Sequence, residues 1–370
     1  MKRILMLNYE FPPLGGGASP VSYEIAKHLS ETGEFTIDVV TMGFKGLPSY
    51  EEINPKLHVY RVKCLRKKKE ICKPWEQATY LATGFFKCWE LIRRNKYDIN
   101  YTHFIIPTGA LALVLKKLFG LPYVITSHGS DVIGYNKRFK ALYPFLMLPW
   151  RIILNNAKTI STPSNYLKQR ILGVYPQFDE KKIRIIPNGI EAGKFVPMQK
   201  EKYILVVSRL FVNKGVQDLI TSLKDVDLGE WKVKIVGEGP YRPELESKVK
   251  EYKLENSVEF LGWVDNKSDV MKELYGKASI FVLSSYFENM NITLLEAMQA
   301  GCLVIATNAG GNLEVVGNKH LLFTPMDSAR LSEILTEQIK NSLNTIETQY
   351  RVKDKFEWNM IITNYIDFIC

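Results

Sequence analysis

Glu288 and Glu296 stand eight positions apart, with Asn289, Met290 and Asn291 directly after the first of them. Ile292, Leu295, Met298 and Ala300 then recur close to helical spacing, so the three intervening amides fall at or near a helix start, where backbone donors lack intrahelical partners and the helix dipole is positive. Two carboxylates around such donors suit the hydroxyl groups of an oxygen-rich ligand. In isolation, two glutamates on a solvated helix face read the same way. Gly15, Gly16 and Gly17 follow Pro12-Pro13 and precede a helical segment, which allows a ligand close to the backbone and equally fits a plain turn. The string is not GxGxxG, so no dinucleotide fingerprint is present. His128, in Thr126-Ser127-His128-Gly129-Ser130-Asp131, fits a core or capping histidine as well as a ligand contact. Asp98-Ile99-Asn100 is not a metal-binding Asp-x-Asp pair, and neither a metal ion nor another cofactor is expected.

These residues need strands and helices to place them. Glu288 follows the continuous apolar run Ala278–Leu283, a buried parallel strand, which puts it at a strand's carboxyl end where open α/β sheets bind ligands. Glu296 falls about two turns into the following helix, which Gly301 ends. Apolar runs at Ile4–Leu7, Thr36–Thr41, Leu57–Val62, Ile99–Phe104, Tyr123–Thr126, Thr159–Thr162 and Ile183–Pro187 alternate with helical segments Ser19–Ser30, Trp75–Arg94, Thr108–Leu118, Phe139–Asn155 and Ser164–Leu172. A second series places strands at Tyr203–Val207, Lys232–Val236, Val258–Leu261, Ser279–Leu283, Cys302–Ala306 and His320–Phe323. Its helices are Gly215–Leu223, Arg242–Lys253, Asp269–Tyr275, Thr293–Ala300 and Ser328–Leu343. The alternation predicts an α/β protein of two doubly wound, mostly parallel domains, residues 1–193 and 194–354, with a C-terminal helix in 355–370.

Size and composition agree. The chain has 370 residues, 46% hydrophobic and 24% charged, enough for two cores. No segment reads as a signal peptide or membrane span, and five cysteines without CxxC spacing indicate neither a disulfide framework nor a zinc site. A cytoplasmic setting follows as the expectation. The net charge of +10 divides into +13 over residues 1–193 and −3 over the rest. Basic residues gather at Arg61, Lys63, Arg66, Lys67, Lys68, Lys69 and Lys73, and again at Lys137, Arg138, Lys140 and Arg151 around Phe139, Tyr143, Phe145 and Trp150. Such a mix suits an anionic membrane surface, or a solvated loop beside an ordinary core helix. Nucleic acid is not expected, because no binding module accompanies the charge.

The Glu288…Glu296 pair, followed by Ala297-Met298 and Gly301, resembles the E-x7-E signature of the retaining glycosyltransferases of family four, which adopt the GT-B fold of two Rossmann-like domains facing a cleft. Where that family usually reads Gly-Phe-Gly after the first Glu, this chain has Asn289-Met290-Asn291. Five further strings are similar to family motifs in family order: Pro12-Pro13…Gly16-Gly17, Thr126…His128…Asp131, Pro187-Asn188-Gly189-Ile190, Arg209-Leu210…Lys214-Gly215 and Gly310-Gly311…Glu314. Phe356-Glu357-Trp358 opens a segment similar to the family's terminal helix, which returns to the first domain.

The resemblance implies a retaining transferase that moves a sugar from a UDP- or GDP-linked donor to a glycan or lipid-linked acceptor. Glu296 would hold the ribose, and Glu288 with the Asn289, Met290 and Asn291 amides would hold the donor sugar. Arg209 and Lys214 would meet the charge on the departing diphosphate. Gly16 and Gly17 would face the diphosphate and acceptor, Gly237 and Val264 would line the nucleotide site, His128 would lie beside the reacting sugar, and Asp131 would order its loop. His128, Glu288, Arg209 and Lys214 form the expected catalytic set. A degenerate nucleotide-sugar-binding partner and a sugar-nucleotide epimerase are the alternatives.

Overall fold

The computed structural model describes residues 1–69, 71–135, 142–340 and 346–370. It divides into two compact units, Met1–Pro187 with Ile361–Cys370, and Asn188–Met360.

The first unit is built on strands β1 (Lys2–Leu7), β2 (Phe35–Met42), β3 (Tyr50–Asn54), β4 (Leu57–Val62), β5 (Ile99–His103), β6 (Tyr123–Thr126), β7 (Ile160–Thr162) and β8 (Ile183–Ile185). They pair in the order β3-β4-β2-β1-β5-β6-β7-β8. Every pairing is parallel except β3 with β4. β5 and β6 are buried along their whole length, as expected of strands covered on both faces. The short edge strand β3, Tyr-Glu-Glu-Ile-Asn, is charged and partly exposed, which discourages further pairing. Helices α1 (Ala18–Glu31), α2 (Pro74–Arg94), α3 (Thr108–Phe119), α4 (Tyr143–Asn156) and α5 (Asn165–Val174) make the connections. Ser164 caps α5 by accepting the Leu167 amide at 3.2 Å.

The second unit has six parallel strands, β9 (Glu201–Val207), β10 (Lys232–Val236), β11 (Val258–Gly262), β12 (Ala278–Leu283), β13 (Leu303–Thr307) and β14 (Leu322–Phe323), in the order β11-β10-β9-β12-β13-β14. Its helices are α6 (Val216–Leu223), α7 (Arg242–Glu251), α8 (Asp269–Lys277), α9 (Ile292–Gln299), α10 (Asn312–Val316), α11 (Ser328–Lys340) and α12 (Ile346–Lys355); α13 (Trp358–Ile369) ends in the first unit.

Strand order reverses direction once in each unit, between β1 and β5 and between β9 and β12. Carboxyl ends of strands at such a reversal diverge and leave a crevice for ligands. The loops after β1, β9 and β12 carry Gly16-Gly17, Arg209 with Lys214, and Glu288, while His128 follows β6, the strand next to β5.

The units join at Pro187/Asn188, six residues before the expected boundary, because the Pro187-Asn188-Gly189-Ile190 turn is moored in the second unit. Asn188 Nδ2 donates to the Met290 carbonyl at 3.2 Å, Ile190 N donates to the Phe356 carbonyl at 2.8 Å, and Trp358 N donates to the Ile190 carbonyl at 3.1 Å. β3 and α12 lack a strong apolar period and were not expected. The expected helices Phe139–Asn155 and Ser328–Leu343 reach beyond the described residues, as do Lys137, Arg138, Phe139 and Lys140.

The expected basic surface is corrected at three positions. Arg61 is buried against Glu51 at 2.7 Å, Arg66 is buried with Nη2 donating to the Lys69 carbonyl at 2.8 Å, and Trp150 is wholly inside with Nε1 donating to the Asp131 carbonyl at 3.0 Å. A guanidinium has five donors, and the Glu51 carboxylate and the Lys69 carbonyl accept from these two.

Candidate functional site

In the second unit, the loops after β9 and β12 are fastened to each other. Tyr286 N donates to the Asn213 carbonyl at 3.0 Å, and Ser284 Oγ donates to the Lys214 carbonyl at 3.0 Å. Gly215 has φ +66°, and a Cβ there would overlap the Ser284 carbonyl oxygen. This packing sets Lys214 Nζ 2.6 Å from Glu288 Oε1, both side chains partly buried. Opposite charges at that distance, with little water around them, hold one another in place. Gly310, at φ +61°, lies so close behind Glu288 that a Cβ would overlap the Glu288 carbonyl oxygen. Arg209 is exposed, rests 5.5 Å from the Phe211 ring centre, and makes no ion pair among the described residues.

The Asn289-Met290-Asn291 string has structural uses that Gly-Phe-Gly would not supply. Asn291 is the N-cap of α9, its Oδ1 accepting from Thr293 N at 2.8 Å and Thr293 Oγ1 at 2.7 Å. Met290 is buried, with Sδ accepting the Asn188 amide at 3.1 Å.

Glu296 is 2% exposed and held by three donors. Lys194 Nζ at 3.1 Å and Asn266 Nδ2 at 2.9 Å reach Oε1, and Tyr275 Oη at 3.0 Å reaches Oε2. A carboxylate accepts along roughly four directions, so one is left. Glu288 and Glu296 thus engage different lysines. Gly237, at φ +134°, packs on the Ser208 carbonyl and donates to the Gly262 carbonyl at 2.7 Å; Val264 is partly buried against the core.

In the first unit, Asp131 organises the loop after β6. Its Oδ1 accepts from the amides of Gly129 at 2.8 Å and His128 at 3.2 Å and from Ser127 Oγ at 3.1 Å, while Oδ2 accepts from Ile105 N at 2.7 Å. Burial raises its pKa, and these bonds oppose the rise. His128 is partly buried, and burial pushes its imidazole down to about 3. Its Nε2 lies 3.0 Å from Nδ1 of His103, which is fully buried. Gly16 is partly exposed and Gly17 exposed, with nothing near where a Cβ would stand, and the Gly16 amide donates to the Glu10 carboxylate. Glu10, 3.4 Å from Arg66, has a pKa raised by burial and opposed by Arg66.

Sequence reasoning missed Glu10, His103, Lys194, Asn266 and Tyr275. Only His103, at the end of an apolar strand, left a local signal.

Residues 15–194 match the family described as Glycosyltransferase Family 4, and residues 191–355 match Glycosyl transferases group 1. An uncharacterized glycosyltransferase of Methanocaldococcus jannaschii is 30% identical over 342 residues, covering 85% of this chain and 82% of that protein. The phosphatidylinositol N-acetylglucosaminyltransferase gpi3 subunit of Schizosaccharomyces pombe is 24% identical, covering 96% and 77%. Among solved structures, Anabaena HepE in complex with UDP and glucose aligns at a TM-score of 0.74 and 19% identity, covering 99% of each chain. Two such Rossmann-like units are those of a GT-B glycosyltransferase. This chain belongs to the glycosyl transferases group 1 family.

Proposed function

We propose that the enzyme transfers a sugar from a nucleotide-sugar donor to a lipid-linked or glycan acceptor, with retention at the anomeric carbon and without a metal ion. The observation that carries this is the Lys214–Glu288 pair together with Arg209, which makes no ion pair among the described residues, both cations on the loop after β9. As the bond from anomeric carbon to phosphate oxygen breaks, charge grows on the diphosphate, and fixed cations stabilise it without reorganising. Lys214 and Arg209 supply that charge. Glu288 and the amides of Asn289–Asn291 take the sugar hydroxyls, and a ribose hydroxyl adds to the donors around Glu296. The leaving phosphate takes the acceptor's proton as the new glycosidic bond forms on the same face.

A lipid-linked acceptor is supported by the outer side of neighbouring α2, α3 and α4. Phe86, Trp89, Leu118, Phe145 and Leu148 are exposed there, with Arg93 and Lys117. These helices contain two acids, Glu76, which is buried, and Glu90, paired with Lys87 at 2.7 Å and Arg94 at 3.1 Å. Aromatic and basic groups without opposing acids suit an anionic bilayer surface. No helix among the described residues is long and apolar enough to cross a membrane. UDP and GDP are the donor nucleotides to test.

The test is transfer by Arg209→Ala and Lys214→Ala. Each is expected to lower turnover by about a hundredfold or more. Near-normal transfer would refute the roles assigned.

A further inference from the structure

We propose that His103 is a positioning residue that fixes the tautomer of His128, keeping it a neutral group with its N–H on Nδ1. The inference rests on the reading of His128 as a neighbour of the reacting sugar.

His103 is the last residue of β5 and is wholly buried; its carbonyl accepts the Thr108 hydroxyl. Its ring lies 4.6 Å, centre to centre, from Tyr101, and 5.3 Å from His128 at an interplanar angle of 11°. Nδ1 of His103 and Nε2 of His128 are 3.0 Å apart. Two neutral imidazoles facing each other this way share one proton, so one nitrogen donates and the other accepts.

The far side of His103 decides which. Its Nε2 is buried and has no hydrogen-bond partner among the described residues. Were the shared proton on His128 Nε2, His103 would have to carry its own N–H on that orphaned Nε2. Were it on His103 Nδ1, only a bare lone pair would be left there. Buried N–H groups without acceptors are the rarer defect in folded proteins, so the proton belongs on His103 Nδ1. His128 then accepts at Nε2 and holds its own N–H at Nδ1.

A third proton on the pair would bring two N–H groups face to face or place a charge at the orphaned Nε2. Of the neighbouring acids among the described residues, Asp131, in the His128 loop, is occupied by the four donors described above, and Glu10, in the loop after β1, is paired with Arg66. Burial already drives both imidazoles towards the neutral form. His128 therefore meets its ligand with unchanging polarity, and the proton released by the acceptor passes to the leaving phosphate rather than to imidazole.

The tautomers can be read directly from long-range proton–nitrogen spectra of the full chain labelled with nitrogen-15 in its five histidines, between pH 5 and 8. Assignment uses His103→Asn and His128→Asn. Both residues should stay neutral throughout, each with its proton on Nδ1. Titration of either near the ordinary value, or an Nε2–H tautomer of His128, would overturn the proposal. In His103→Leu, His128 should show a mixture of tautomers, and kcat should fall by up to roughly a hundredfold with the donor KM and the melting temperature unchanged. His103→Asn, whose amide N–H stands in for Nδ1–H, should restore most of kcat; equal losses in the two variants would make His103 merely structural. If His128→Ala transfers sugar normally while the spectra are as expected, the role given to His128 fails and the tautomer assignment stands.

Discussion

Gly16 and Gly17 in the first unit have open space where a side chain would begin, whereas Gly215, Gly237 and Gly310 in the second are pressed against carbonyl oxygens of neighbouring loops. In the first case the absence of a Cβ leaves room beside the backbone. In the second it lets loops from different strands lie against each other, so that Lys214 and Glu288 come from one interlocked platform. The polar chemistry differs in the same sense. Around Glu288 and Glu296 the second unit places opposite charges together, with Lys214 and Lys194, while around His128 the first sets two imidazoles that burial drives towards the neutral form beside Phe104. The loops after β9 and β12 are thus organised by charge and backbone contact, and the loop after β6 by burial and hydrogen bonding.

The sharpest way to break this contrast is a methyl group. Gly310→Ala should destabilise the protein by about 3 kcal/mol or more, because the new Cβ overlaps the Glu288 carbonyl at a positive φ that side chains avoid. Denaturant unfolding measures it, and a loss below 1 kcal/mol would mean that the platform yields.

Acid should separate the units next. An imidazole with a lower pKa folded than unfolded binds fewer protons in the fold, so its stabilising effect is whole above pH about 6.5 and is lost as pH falls towards 3. For His128 alone the loss at pH 5 is about 2 kcal/mol, and the downward shift at His103 adds to it. Hydrogen exchange at pH 7 and pH 5 should show protection falling first in the first unit. Earlier loss in the second unit would contradict the contrast.

The smallest effect on stability belongs to Gly16→Ala, which should cost less than about 0.5 kcal/mol. If the proposed role of this loop holds, its effect on sugar transfer should be much larger. Normal transfer by this variant would remove the Gly15–Gly17 loop from the site.

The strands were legible because they are continuous apolar runs, and nine of them, β2, β4, β5, β6, β7, β10, β11, β12 and β13, lie within one residue of where the sequence put them. The charged edge strand β3 was not, since Tyr50–Asn54 pairs through its backbone and carries no apolar period. Motif spacing brought Glu288, Glu296, Arg209 and Lys214 to attention, but spacing does not say who faces whom. Lys214 and Glu288 are 74 positions apart, and their contact follows from strand order. The surroundings of Glu296 were equally hidden, because Lys194, Asn266 and Tyr275 arrive from three separate segments. Charge density misled at Arg61 and Arg66, since a run of basic residues does not reveal that some of its guanidinium groups have acceptors indoors.

The central claim is that the loop after β9 receives the donor's diphosphate. Calorimetric titration of UDP and GDP into the intact chain and into Lys214→Ala tests it most directly. One nucleotide should bind the intact chain and bind Lys214→Ala at least about tenfold more weakly, the loss of one charge-assisted contact. Equal binding by both proteins, or no binding of either nucleotide to the intact chain, would contradict the account.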